Sequence, residues 1–258
     1  MKKYFRDLYK RKDLLVHLVV SGLKAQHRNT YLGYVWWILD PLLMALVFYF
    51  ARVLIFGMRG EYIGAYLVVG LVAWKWITSV LIGSAKSISV KSGIITQVYL
   101  PKAIFPLGSV FTQMMNFTFS LAVIAIFLAA YRLVPTVYIL WFPIVMFTQV
   151  IFLTAIALVL AYSCMLIRDF ENVLTHITSF WFWTTPVIWE TWRLPEQYQQ
   201  LLRYNPAATL LISYRNILMY QTGPLVQDLL FISMISFAVI IYMLYFYNLN
   251  EHKIIRAI

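Results

Sequence analysis

The sequence predicts an all-α integral membrane protein with six transmembrane helices, an amphipathic helix on the membrane surface, and short re-entrant helices near the outer face. Three observations support this fold class. Hydrophobic residues make up 62% of the 258 residues and charged residues only 12%, whereas soluble domains contain about 45–50% apolar and about 25% charged residues. Six apolar runs are long enough to cross a bilayer. The positive charges cluster in segments that share one side of the membrane.

The N-terminal segment predicts a helix over residues 4–30 that lies at the membrane interface. Leu8, Leu15 and Leu18 fall at helical spacing on one side, and basic residues occupy the other side. A solvated basic tail is the alternative interpretation. We expect no cleavable signal peptide, because the apolar run 14–20 is too short and lacks a small-residue cleavage site.

Six apolar runs predict the transmembrane helices, since about 20 helical residues cross a hydrocarbon core of about 30 Å. The predicted spans are residues 35–56, 62–83, 103–130, 137–163, 172–189 and 228–249. The third and fourth runs are longer than a crossing requires, which predicts that they tilt or extend beyond the bilayer.

The distribution of Lys and Arg predicts that both termini are cytoplasmic. Of the 21 Lys and Arg residues, eight lie in the first 34 residues, three in the loop 84–102, one at position 168 and two near the C-terminus. Positive residues mark the cytoplasmic side of a membrane protein. With this hydrophobicity, the net charge of +11 indicates contact with anionic lipid headgroups and not with nucleic acid.

The cytoplasmic loop 84–102 predicts a short helix. Ile88, Ile95 and Tyr99 can share one face, and Pro101 ends the pattern. An apolar face on a cytoplasmic loop needs a partner. The composition leaves two partners open, the membrane surface and another protein.

The outer segment 190–227 predicts a re-entrant or interfacial helix. Its apolar stretch 207–220 has fourteen residues, and a helix of that length rises only about 21 Å. Such a helix cannot span the bilayer, and it is tolerated at membrane depth only where protein or water surrounds it.

The chain lacks the residue patterns of an enzyme. It contains no Gly-Lys pair for a phosphate-binding loop, and its four histidines do not stand at metal-ligand spacing. We therefore predict no catalytic residue, no metal site and no cofactor in this chain. The single cysteine, Cys164, excludes an internal disulfide. A membrane-embedded glycan-modifying enzyme is the disfavoured alternative.

Two cations lie within predicted spans, where a charge costs about 2.5–3.5 kcal/mol even on the mild insertion scale. Arg52 lies four residues from the end of its span, so we expect it to reach outward to the interface. Lys75 lies near the middle of span two, beside Trp74 and on the same face as Ser79. It predicts a lining position in a polar path, with a structural ion pair as the alternative.

Aromatic residues crowd the fifth predicted span. Phe180, Trp181 and Trp183 lie near the polar residues His176 and Thr184. Aromatic faces with polar groups nearby suit the C–H faces of sugar rings. Core packing is the alternative for each of these rings.

A set of short motifs runs in order along nearly the whole chain. They are Leu23-Lys24, Arg28, Tyr31-Leu32-Gly33, Trp36-Trp37, Pro41, Leu100-Pro101-Lys102, Phe105-Pro106, Arg168-Asp169-Phe170, Thr185-Pro186-Val187, Asn205-Pro206 and Arg215. Together they resemble the transmembrane subunits of ABC-type polysaccharide exporters, the type II exporter class that moves O-antigen, capsule and teichoic acid.

This resemblance implies a homodimer that binds two copies of a separate ATPase subunit, with ATP and magnesium on that partner. It implies a gate helix over residues 1–34 and a six-span ABC transmembrane type-2 domain over residues 35–258. The loop partner would then be protein, through a coupling helix. The expected gate residues are Lys24, Arg28 and Tyr31, and the expected coupling residues are Lys86, Lys91, Ile95, Tyr99, Arg168 and Asp169.

The resemblance also implies a channel between two copies in the bacterial cytoplasmic membrane, lined by spans one, two and five. The expected lining residues are Tyr49, Arg52, Trp74, Lys75, Ser79, His176, Phe180, Trp181, Trp183 and Thr184. Cations within the spans suit a polymer with phosphate in each repeat, and the overall pattern resembles teichoic-acid exporters slightly more than O-antigen exporters. We therefore expect lipid-linked wall teichoic acid as substrate. O-antigen and capsule are the alternatives. A drug or lipid exporter of the same class is disfavoured, because the large outer loop of that subfamily is missing.

Overall fold

The computed structural model describes residues 2–26, 30–55, 57, 60–91, 93, 100–167 and 169–257. These residues form ten α-helices and contain no β-strand. The helices are α1 (Lys2–Lys10), α2 (Lys12–Gln26), α3 (Trp36–Phe50), α4 (Ile63–Ala85), α5 (Ile104–Ala130), α6 (Phe142–Leu166), α7 (Phe170–Thr184), α8 (Glu196–Gln199), α9 (Pro206–Leu218) and α10 (Val226–Ala257).

Among the described residues, five helical stretches are long and apolar enough to cross a membrane. They are Trp36–Ile55, Ile63–Ala85, Ile104–Ala130, Val137–Leu166 and Val226–Asn250. Their ends lie within three residues of predicted spans one, two, three, four and six. The chain is therefore a multi-pass membrane protein.

The fifth predicted span, 172–189, corresponds to the shorter helix α7. Its 15 residues rise about 22 Å. Helical structure ends at Thr185, which has extended backbone angles, because a proline disfavours helical geometry in the residue before it and Pro186 follows. The predicted outer end of this span is therefore not helical, and the sixth crossing stays a prediction.

Helix α4 forms the centre of the bundle. It packs against α3, α5, α6, α7 and α9, and its residues are buried along most of its length. Close approach to α5 occurs at both ends of α4, where Gly64 lies against Tyr131 and Gly83 lies against Ser109. The main hydrophobic core surrounds this helix.

The N-terminal helix predicted over residues 4–30 is two helices, α1 and α2. Helix α2 packs on α5, with Gly22 against Thr112 and Leu18 against Gly108. Tyr4 of α1 is buried, and its hydroxyl accepts a hydrogen bond from the backbone N–H of Ala103. These contacts favour the helical prediction over a solvated tail.

The two irregular segments differ in how much of them is described. In the loop 84–102, a 3-10 turn covers Ser89–Lys91 and Ile88 is buried. Residues 94–99 lie outside the described part, so the predicted short helix with Ile95 and Tyr99 is not described. In the outer segment, α9 matches the predicted helix closely and most of its residues are buried.

Candidate functional site

The non-helical segment after α7 presents four consecutive backbone carbonyls to side chains of other helices. The carbonyls of Pro186 and Val187 accept hydrogen bonds from Arg215 of α9. The next two, at residues 188 and 189, accept from Arg52 and from the hydroxyl of Tyr66. Irregular backbone at membrane depth requires such internal partners, because lipid offers none. We call this segment, residues 186–190, the outer strap, because it leads into the segment that the sequence predicts on the outer side.

Arg215 is the anchor of the outer strap. It is 2% exposed. Its Nη2 donates to Val187 O at 2.7 Å and to Tyr66 O at 3.1 Å. Its guanidinium carbon lies 3.4 Å from the centre of the Tyr66 ring. Burial lowers the pKa of Arg215, yet an arginine keeps its proton in proteins. Gly70 leaves room for this packing, since a Cβ there would lie 2.6 Å from Val187 O and would overlap the guanidinium.

Arg52 is the second anchor, and its position differs from the predicted one. We expected it to reach outward and to line a channel. Instead it is 4% exposed, forms an ion pair of 2.7 Å with Glu190, and donates to Ile188 O at 3.0 Å. Glu190 also pairs with Arg193 at 3.2 Å. A local carboxylate neutralises the cation, so its charge does not have to reach water.

Lys75 lies in a polar chamber of about 270 Å³ between α3, α4 and α5. Its Nζ is 2.7 Å from Asp40 Oδ2, and both side chains are partly exposed. Ser79 and Asn116 also line the chamber. Lys75 therefore lines a cavity and also forms an ion pair, and its position in a polar path for substrate stays a prediction.

A hydrogen-bonded amide cluster ties the chamber to the end of α2. Asn116 donates through Nδ2 to Gln26 Oε1 and to Gln113 Oε1, both at 2.8 Å. Of the predicted gate residues, Lys24 and Tyr31 are exposed. Arg28 lies outside the described residues.

Helix α7 buries only Leu174 and Thr178. Its other described residues are exposed or half-buried, and several of the exposed ones are polar, including His176 and Ser179. Phe180 is 71% exposed and Trp183 63% exposed. A helix that exposes polar residues and aromatic rings together is poorly suited to contact lipid alone.

An open aromatic groove of about 650 Å³ lies where α7 meets the outer segment. Five aromatic residues line it, namely Trp181, Trp183, Trp189, Tyr198 and Tyr204. Trp181 donates through Nε1 to Asn205 Oδ1 at 2.9 Å, and the same oxygen caps the first turn of α9. Thr184 also lines the groove.

The remaining predicted lining residues lie apart from one another. Trp74 is buried against Trp181 and Phe182, so it is a core residue. Tyr49 is 42% exposed and lines a separate apolar groove of about 420 Å³ beside Tyr131. The predicted set is therefore divided among the chamber, the exposed face of α7, the aromatic groove, the apolar groove beside Tyr49, the outer strap and the core.

The predicted coupling residues are only partly described. Lys86, at the end of α4, lies 3.9 Å from Glu171 in the first turn of α7. Lys91 is partly buried and Asp169 is exposed. The predicted residues Ile95, Tyr99 and Arg168 lie outside the described part of the chain.

The partners of the charged residues were not predictable from the sequence. Nothing in the sequence connects Asp40 with Lys75, Glu190 with Arg52, or Tyr66 with Arg215. The partners are separated by 35 to 149 positions in the chain, and no periodic pattern connects residues so far apart. Among the described residues, no group of three His, Cys, Asp or Glu side chains could hold a metal ion.

Three known proteins are similar to this chain over four-fifths of its length or more. No family model matches the sequence. The chain is 29% identical to an O-antigen export system permease protein RfbA of Myxococcus xanthus, over 92% of each chain. It is 30% identical to a protein of that name from Klebsiella pneumoniae, over 80% of each chain. A further Klebsiella pneumoniae protein of that name is 29% identical over 81% of this chain and 82% of its own length.

Proposed function

We propose, because this chain belongs to the family of ABC polysaccharide-exporter permeases, that it moves a lipid-linked O-antigen type polysaccharide across the bacterial cytoplasmic membrane. The chain itself is the permease subunit of the export system. Three relatives that bear the name of O-antigen export permeases, each matched over four-fifths of this chain or more, support this proposal.

Teichoic acid, the substrate we expected from the sequence, has less support. That expectation relied on Arg52 and Lys75 as cations for a phosphate-rich polymer, and on a slightly greater overall resemblance to teichoic-acid exporters. Glu190 neutralises Arg52 at 2.7 Å and Asp40 neutralises Lys75 at 2.7 Å, so neither is an uncompensated positive charge. The relatives are named for O-antigen export, which favours the alternative that we considered. We therefore propose an O-antigen type polysaccharide as the substrate.

The exposed face of α7 is the observation that carries the transport proposal. A helix of a multi-pass membrane protein that exposes His176, Ser179 and Phe180 needs a polar partner on that side. Two copies of the chain that face each other across α7, with α3 beside it, would enclose such a path. The polar side chains would contact water and sugar hydroxyls, and the rings would stack on sugar faces.

An ATPase subunit is the proposed energy source, because the sequence contains no phosphate-binding loop. ATP and magnesium would bind to that partner, and two copies would serve the permease dimer. Its proposed docking surface is the end of the bundle with Lys86, Lys91 and Asp169. In this arrangement both termini are cytoplasmic, residues 1–34 form the gate helix, and residues 35–258 form the six-span domain.

Cysteine accessibility along α7 tests the proposed path. Cys164 is the single cysteine, so Cys164→Ser provides a cysteine-free background. Only thiolates react with a charged, membrane-impermeant maleimide, and a thiol in lipid does not ionise. We expect fast labelling of His176→Cys and Ser179→Cys in the complex with the ATPase, and slower labelling while polymer is being exported.

Two matched positions serve as controls for this experiment. Thr178→Cys lies on the buried side of the same helix, and Phe237→Cys on α10 is 58% exposed on an apolar face. Both should label slowly. Equal labelling of His176→Cys and Phe237→Cys would show that α7 faces lipid and would overturn the proposed path.

Complementation tests the substrate separately. The chain and its proposed ATPase partner would replace the export pair in one strain that makes O-antigen and in one that makes wall teichoic acid. Restored surface O-antigen without restored teichoic acid is the expected result. The reverse pattern would return the assignment to teichoic acid.

A further inference from the structure

An apolar cavity of about 600 Å³ opens at the end of α5 that is opposite to α1 and α2. Its walls come from the last three turns of α5, residues 132–135, Ile139, Phe142 and Leu218. Ligand pockets typically measure about 300–1,000 Å³. The lining consists almost entirely of hydrocarbon groups, and its charged residue is Arg132.

The cavity opens on a surface suited to lipid. Near it, Ile126, Val134 and Leu140 are 56%, 70% and 73% exposed, which is an apolar surface that water would not favour. Arg132 stands two residues beyond the end of the candidate span Ile104–Ala130. Tyr138 and Trp141 form a turn close by, and such aromatic residues concentrate at headgroup depth. The cavity therefore lies at acyl-chain depth and Arg132 at headgroup depth.

The backbone at Arg132 provides an independent observation. Leu133 N donates to Leu128 O at 2.9 Å and Arg132 N donates to Ala129 O at 3.0 Å, which is the Schellman pattern that ends many helices. In that pattern the residue with positive φ is usually glycine. Here it is arginine, with φ 56°, so the site holds a cation where the backbone would favour a residue without a side chain.

Arg132 is exposed, and no ion pair of this residue occurs in the described part of the chain. Arg52 and Lys75 each have a carboxylate partner, and the buried Arg215 donates its hydrogen bonds to backbone carbonyls. Arg132 thus remains an uncompensated charge at the mouth of an apolar cavity. The complementary ligand has an anionic head and a hydrocarbon tail.

We propose that this cavity binds an anionic phospholipid of the bilayer, with one acyl chain between α5, Phe142 and Leu218 and the phosphate on Arg132. The lipid would be a bound component of the permease and not its cargo. This site is separate from the exposed face of α7, and its test does not depend on transport.

Native mass spectrometry of the purified full chain with added phosphatidylglycerol tests the proposal. We expect one tightly retained phosphatidylglycerol, and weaker retention of phosphatidylcholine. Arg132→Gly should weaken phosphatidylglycerol binding about fivefold, the effect of removing one cation near an anionic lipid surface. Arg132→Lys should retain most of the affinity. Ala125→Trp fills the cavity and should weaken binding of both lipids.

Each variant has a matched control. Arg203→Gln removes another exposed arginine beyond the end of a helix, and Ile126→Trp places the same ring at the neighbouring exposed position; neither residue lines the cavity. Both should bind lipid as the unchanged chain does. Thermal unfolding without lipid separates binding from folding, because glycine relieves the positive φ and Arg132→Gly should unfold no earlier than the unchanged chain.

Two outcomes would overturn the proposal. The first is equal phosphatidylglycerol binding by the unchanged chain, Arg132→Gly and Ala125→Trp. The second is preferential binding of a polyprenyl phosphate, lost in the same variants, which would assign the cavity to a substrate carrier. The Arg132 series decides the question by itself if Ala125→Trp lowers the yield of folded protein.

Discussion

Arg215 and Tyr66 form a stacked pair, with the guanidinium carbon 3.4 Å from the centre of the ring. Arg215 donates to the carbonyls of Pro186 and Val187, and the Tyr66 hydroxyl donates to the carbonyl of Trp189. This pair therefore satisfies three of the four consecutive carbonyls, residues 186–189, of the outer strap. It replaces, with side chains, the hydrogen bonds that a continued helix would have made.

Replacement of Arg215 by lysine should destabilise the protein. A lysine ammonium cannot stack on Tyr66 and donate in three directions at once, so at least one buried carbonyl would lose its partner, at about 1–3 kcal/mol. Thermal unfolding in detergent measures the loss. Arg203→Lys, at an exposed position of the outer segment, is the control, and equal melting temperatures for the two variants would contradict the anchor role.

Gly70→Ala should also destabilise the outer strap. A Cβ at this position would overlap the Arg215 guanidinium and lie 2.6 Å from Val187 O, so the arginine or the backbone must move. Forced packing of this kind typically costs about 1–3 kcal/mol. Gly223→Ala is the matched control, because the nearest atom to its Cβ, in Tyr138, is 3.9 Å away. A Gly70→Ala variant as stable as that control would show that the packing is loose.

Removal of one charge from the Arg52–Glu190 pair should cost more than removal of both. Glu190→Gln leaves Arg52, 4% exposed, without its carboxylate, and breaking a buried pair in this way costs about 3–5 kcal/mol. The double variant Arg52→Met with Glu190→Gln removes the uncompensated charge and should unfold later than Glu190→Gln alone. Urea unfolding in mild detergent measures both. Glu196→Gln, at an exposed position, should have little effect.

Polysaccharide export should depend on the charge balance of the Asp40–Lys75 ion pair. Lys75→Met leaves Asp40 as an uncompensated carboxylate beside the chamber, so polysaccharide export should fall. The double variant Asp40→Asn with Lys75→Met restores neutrality and should recover export relative to Lys75→Met. Surface polysaccharide at equal expression is the measurement. A double variant as impaired as Lys75→Met would assign the effect to the positive charge of Lys75 itself.

Five of the spans were predictable because a bilayer imposes a length on any helix that crosses it. The third span shows how closely, since residues 103–130 were predicted and the helix is Ile104–Ala130. At the fifth span, the apolar run 172–189 continues past Thr184, but Pro186 prevents the helix from following it. Composition identifies the apolar run, but the backbone geometry required before a proline determines where the helix ends.

The positions and partners of individual charged side chains were not predictable in the same way. Arg52 lies near the end of its span, which favoured an outward direction, but its partner Glu190 lies 138 positions away in the sequence. Trp74 was predicted to line a channel beside Lys75, yet it packs in the core against Trp181 at a centroid distance of 5.6 Å. Both outcomes depend on contacts between helices that are remote in the sequence, and local spacing does not encode them.

Helix α4 has a mechanical consequence for the whole molecule. Its 23 residues make a rod about 35 Å long, enclosed by neighbours for most of its length. One end carries Lys86 beside the start of α7, and the other carries Tyr66 under the outer strap. Such a rod has little freedom to bend or turn independently of its ends. A displacement or rotation of α4 at the Lys86 end would therefore be transmitted through the helix to the outer strap.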